Sequence, residues 1–102
     1  MGFLSRKSDS ESKSKHSKEL TIVNRLGLHA RPSAMFVKTA GKFRAEIWVE
    51  KDGERVNGKC IMGLMMLAAG NGSKLIVSAE GADAEKAIEE LESIVARKFD
   101  ED

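Results

Sequence analysis

The chain has 102 residues, 41% apolar and 32% charged, with 17 basic against 16 acidic side chains and a net charge of +1. That length suits one domain with a modest core, and the charge balance gives no global field that would draw in nucleic acid or a membrane surface. A single cysteine, Cys60, excludes an internal disulfide and a cysteine-rich metal centre, which fits a reducing, cytoplasmic setting.

No apolar run approaches the roughly 18 residues that cross a bilayer. The opening stretch, "MGFLSRKSDSESKSKHSKE", lacks the apolar core and small-residue cleavage site of an export signal. Arg6 stands where a myristoylation signal needs Ser or Thr. A protein neither exported nor anchored is therefore expected. Residues 1–18 read as a flexible polar arm tipped by Phe3 and Leu4, because such side chains cannot bury enough surface to offset the entropy of ordering them. The folded domain is expected over residues 19–102.

Order should begin near Glu19. "ELTIVN" (19–24) is rich in branched residues and puts Leu20 and Ile22 on one side, a strand signature. After Gly27, "HARPSAMFVKTAGKF" (29–43) reads as a helix that Pro32 can open, with Ala30, Ala34, Val37 and Ala40 on one stripe and Gly41 at its close. "AEIWVEK" (45–51) alternates Ile47 and Val49 against Glu46, Trp48 and Glu50. Asp52-Gly53 is a hairpin turn, and "ERVN" (54–57) is the returning strand.

"CIMGLMMLAAG" (60–70) reads as a short helix ending at Gly70, and "KLIVSAE" (74–80) as a fourth strand. In "ADAEKAIEELESIVARKF" (82–99), Ala84, Ala87, Ile88, Leu91, Ile94 and Val95 share one stripe. Acids early and bases late suit that helix's dipole. The order βαββαβα, with each helix burying one stripe, gives an α/β (α+β) open-faced sandwich: a four-stranded, mainly antiparallel sheet with three helices on one face.

The middle helix is apolar on two sides. At about 100° per residue, Leu64, Leu67 and Ala68 share one face while Met62, Met65 and Met66 gather on the other, with Ile61 at the edge. A helix lying on a sheet buries one face only. The methionines either fill an irregular core or form an exposed patch, and their flexible, polarizable side chains suit a surface that repacks against different partners.

His29 sits where a helix begins. Backbone N–H groups and the positive end of the dipole make such a position an anion site, and the dipole disfavours a charged ring, leaving a nucleophilic nitrogen. A phosphoryl group there would find amide donors and the forked guanidinium of Arg31 within reach. A plain surface or capping histidine is the alternative reading of the same position. Zinc catalysis takes three protein ligands, and the other histidine, His16, lies in the arm. Neither a G-x-S-x-G elbow nor a G-x-x-x-x-G-K-[ST] phosphate loop occurs. If His29 is chemical, it is a covalent acceptor, with no metal and no cofactor.

"GLHARPSAMFVKTA" (27–40), with "VNGKCIMGLMMLAAGNGSKLIVSAEGADAEKAIEEL" (56–91), closely resembles HPr, the histidine-containing phosphocarrier family of the bacterial phosphoenolpyruvate-dependent sugar phosphotransferase system. The resemblance runs from about Glu19 to Phe99. It implies the same βαββαβα sandwich and a relay protein rather than a stand-alone enzyme. In such a relay Enzyme I phosphorylates Nδ1 of His29, Arg31 supports the phosphate, and a IIA-type domain takes the group away. Ile61, Met62 and Met65 fall on the apolar patch that such proteins press against Enzyme I and IIA domains. Cys60 stands where many members carry a regulatory serine, which puts serine-linked control in doubt. A lowered thiol pKa at a helix start would suit a redox handle; a small tolerated residue is the plainer reading. The protein is expected to act as a monomer. The alternative to sugar-linked transfer is a nitrogen-branch or purely regulatory member that works by docking.

Overall fold

The computed structural model describes residues 14–101. Four strands, β1 (Lys15–Thr21), β2 (Glu46–Lys51), β3 (Glu54–Asn57) and β4 (Lys74–Glu80), alternate with three helices, α1 (Ala30–Ala40), α2 (Ile61–Met66) and α3 (Ala84–Ala96), and a short turn of helix covers Lys98–Asp100. All pairing is antiparallel, in the order β1-β4-β2-β3. This is the open-faced sandwich expected from the sequence.

The sheet's inward face carries Leu20, Ile47, Val49, Leu75, Val77 and Ala79, all buried. Helix α3 packs on β1 and β4, and α1 packs on α2 and α3. The stripe read for α3 is buried throughout, from Ala84 to Val95. Register explains the opposite face: Ser17, Ser78 and Trp48 lie side by side across three strands, and Arg55 stacks over the Trp48 ring at 4.6 Å. Asp52 and Gly53, at φ 51° and 84°, form the hairpin turn.

Three local readings need correction. Order begins before Glu19: β1 starts at Lys15 and pairs with β4 along its whole length, from Lys15–Glu80 to Thr21–Lys74. An edge strand needs backbone partners more than apolar side chains, so polar composition concealed it. The remainder of the proposed arm, including Phe3 and Leu4, lies outside the described residues.

The stripe on α1 is rotated. Pro32, Ser33, Phe36, Thr39 and Ala40 are buried, while Ala30 and Ala34 are exposed. Burying the large Phe36 ring gains far more than burying two alanine methyls. Helix α2 ends at Met66, not near Gly70, because Ala68 takes a left-handed conformation at φ 51°. That turn exposes Ala68 and buries Ala69 in its place, beside Leu64 and Leu67.

Candidate functional site

The segment from Ile22 to His29 joins β1 to α1, and few of its backbone groups are left to chance. Ile22 exchanges hydrogen bonds with the 72–73 loop, donating to Ser73 O at 2.9 Å and accepting from Gly72 N–H at 2.7 Å. Leu28 N–H donates to Ala69 O at 2.8 Å. Gly27, at φ 73°, lies against the same carbonyl.

Asn24 is completely buried. Its Nδ2 donates to Gly27 O at 2.8 Å and to Glu101 Oε2 at 2.9 Å, while Asn71 Nδ2 donates to the Asn24 carbonyl at 3.2 Å. One side chain thus ties the loop to itself and to the C-terminal end of the chain.

His29 is the N-cap residue of α1, with extended backbone and no capping bond from its ring. The Ser33 N–H is bonded to the His29 carbonyl at 3.0 Å, and Pro32 has no N–H, so the first turn asks little of the residues before it. The ring stays available: its side chain is 37% exposed, and Nε2 lies 3.1 Å from Glu101 Oε2. The Glu101 carboxyl is held below its ordinary value, first by the hydrogen bond with His29 and then by Asn24 and the nearby Arg31 charge, against an opposing effect of burial.

Arg31, two residues on, is exposed and lines an open groove of about 830 Å³ between α1 and α3 with Met35, Lys38, Arg97, Phe99 and Glu101. Glu101 therefore touches His29 and shares the groove with Arg31.

The methionine face of α2 is open to solvent. Met62 and Met66 are 66% and 69% exposed, Met65 is 42% and Ile61 is 36%. Leu26, in the loop that leads to His29, is also exposed. The core reading of these methionines fails, because Leu64 alone from this helix is buried. Cys60 is exposed at the N-cap of α2 and makes no side-chain cap bond. Among the described residues, no group of three or more His, Cys, Asp or Glu side chains is placed to hold a metal ion. No helix among them is long and apolar enough to cross a membrane.

Sequence reasoning singled out His29, Arg31 and the α2 patch but missed Asn24 and Glu101. A polar residue closing an apolar strand was a faint signal for Asn24. Glu101 gave none, because 72 residues separate it from the ring it touches.

Residues 16–97 match the family model described as the PTS HPr component phosphorylation site. The chain belongs to the HPr family. The phosphocarrier protein HPr of Neisseria meningitidis serogroup A is 48% identical over 80% of this chain and 92% of that protein. The HPr-like protein Crh of Halalkalibacterium halodurans is 44% identical over 79% of this chain and 96% of its own. Among solved structures, HPr-C-His from Thermoanaerobacter tengcongensis aligns with a TM-score of 0.83 at 48% identity, covering 85% of this chain and 98% of that one. An HPr dimer from the same organism has also been solved.

Proposed function

We propose that this HPr-family protein is a cytoplasmic phosphocarrier that takes a phosphoryl group from phosphorylated Enzyme I onto Nδ1 of His29 and yields it to a IIA-type protein. The observation that carries the reading is the state of one ring: His29 is half-exposed at the start of α1, and its Nε2 is already engaged by Glu101. The other nitrogen is the one left for phosphorus.

In the forward step the Nδ1 lone pair forms the bond to phosphorus while the bond from phosphorus to the donor breaks, and the donor leaves with its electron pair. Positioning and charge stabilisation dominate such transfers. Arg31 supplies a permanent forked charge for the phosphoryl oxygens, and the opening amides of α1 add donors. Ile61, Met62 and Met65 dock the larger partners, Met66 on the same helix extends that surface, and an apolar patch rich in methionine suits partners of different shape. Access to both the ring and this patch favours a monomer in the working state.

Likeness to Crh favours a second reading, regulation by docking alone. Retention of His29 supports the first. Incubation with Enzyme I and phosphoenolpyruvate, followed by intact mass, separates them. Transfer requires a gain of one acid-labile phosphoryl group that His29→Ala abolishes; an unchanged wild-type mass leaves the docking role.

A further inference from the structure

The last described residue of the chain makes a contact that the fold goes out of its way to achieve. Phe99 is buried and anchors the C-terminal turn. Lys98, Phe99 and Asp100 then all adopt left-handed backbone, at φ 60°, 54° and 59°, a conformation that non-glycine residues rarely take even singly. Arg97 Nε donates to Asp100 Oδ1 at 3.0 Å across this turn. The result is that Glu101 doubles back beneath His29.

Glu101 is also held from the other side. Asn24 Nδ2 donates to the same Oε2 that faces the ring. The Asn24 Oδ1 is buried and has no hydrogen-bond partner among the described residues. The NH₂ group of this amide holds the Gly27 carbonyl at 2.8 Å and the Glu101 carboxylate at 2.9 Å, so the carboxylate and the loop before His29 share one donor.

We propose that Glu101 is a positioning residue for His29, holding the ring proton on Nε2 so that the Nδ1 lone pair is the one presented for phosphoryl transfer. This rests on the reading of His29 as the phosphoryl acceptor. An ionised carboxylate can only accept, so the ring nitrogen facing it must be the one that carries hydrogen. In a neutral imidazole the other nitrogen is then bare.

The same carboxylate serves the product. When Nδ1 bonds to phosphorus and the donor departs, Nε2 keeps its proton and the ring becomes cationic. That charge develops 3.1 Å from Glu101. A preplaced carboxylate that fixes a histidine tautomer and then balances an imidazolium is the role of the aspartate in serine-protease triads. Here it would act on a nitrogen nucleophile. Because Glu101 is partly open to solvent, its influence on rate should be moderate, roughly tenfold.

The test uses the full chain labelled with ¹⁵N-histidine, the His16 signals being assigned from His16→Gln. In the neutral ring of wild type, ¹⁵N shifts should report Nε2–H and a bare Nδ1. Glu101→Ala should mix the two tautomers and slow phosphorylation by Enzyme I roughly tenfold. Glu101→Gln, which keeps a carbonyl acceptor for both Asn24 and His29, should restore the tautomer and recover part of the rate. Wild-type tautomer and rate in Glu101→Ala would overturn the proposal, as would a lowered melting temperature with an unchanged tautomer. Absence of phosphorylation in wild type would instead strike at the acceptor reading, which the ¹⁵N spectrum does not depend on.

Discussion

Gly27 lies so close to Ala69 that a Cβ on it would come within 2.4 Å of the Ala69 carbonyl oxygen. The approach lets Leu28 N–H reach that oxygen at 2.8 Å, and so fixes the residue that precedes His29. A loop from one end of the chain is thereby locked to the segment that follows α2, the helix bearing the methionine face.

Gly27→Ala should therefore damage both stability and transfer. The substitution meets backbone rather than a flexible side chain, and its φ of 73° is strained for alanine. A loss of about 1–3 kcal/mol in chemical denaturation is expected, together with slower phosphorylation as His29 is displaced. Wild-type stability would show that the loop can shift aside freely.

Arg31→Ala should behave in the opposite way. The side chain is exposed, so the melting temperature should hold, while phosphoryl transfer from Enzyme I slows by on the order of tenfold or more. Stopped-flow or quench-flow transfer kinetics decide it, and unaltered rates would remove Arg31 from the mechanism.

The α2 surface is tested by charge. Met65→Glu places a carboxylate where a partner should bury apolar surface, which raises the apparent KM for the carrier in Enzyme I turnover. Folding stability should move by no more than about 0.5 kcal/mol at such a solvent-open site. An unchanged KM would mean that partners dock elsewhere.

Asp83 gives a pH prediction. Its carboxylate accepts from Arg44 N–H through Oδ2 and from Ala45 N–H through Oδ1, each at 2.9 Å. The Arg44 bond above all holds its pKa below the ordinary 3.8, with burial opposing and Ala45 reinforcing. A depressed folded-state pKa contributes stability that is present above the unfolded value and lost as pH falls through the folded one. Wild type should thus lose this contribution below about pH 4. Asp83→Asn keeps one acceptor, so it should be about 1 kcal/mol less stable at neutral pH and show a shallower acid limb in denaturation curves. Parallel acid limbs would mean that the two amide bonds do not depend on the charge.

Much of this molecule is legible from residue order because its signals are local. The α3 stripe, the Asp52-Gly53 turn and the alternation of Ile47 with Val49 each follow from spacing within one element. Errors arose where a neighbour decides. β1 is specified by pairing with β4, so Lys15 to Lys18 are ordered despite their polarity. On α1 the alanine spacing points to one stripe, whereas Phe36 dominates burial and turns the helix to another. At the site, His29 and Arg31 stand together in one motif, whereas Asn24 and Glu101 meet only after the C-terminal turn brings the chain back. No period in the sequence encodes that meeting.

We propose above that phosphorus rests on one nitrogen of His29. Its most direct measurement is ³¹P and ¹⁵N NMR of the full chain after incubation with Enzyme I and phosphoenolpyruvate. A single phosphorus signal coupled to Nδ1 of His29 is expected, and it should disappear on addition of a IIA-type acceptor. Phosphorus on Nε2, on another residue, or on nothing at all would contradict the proposal.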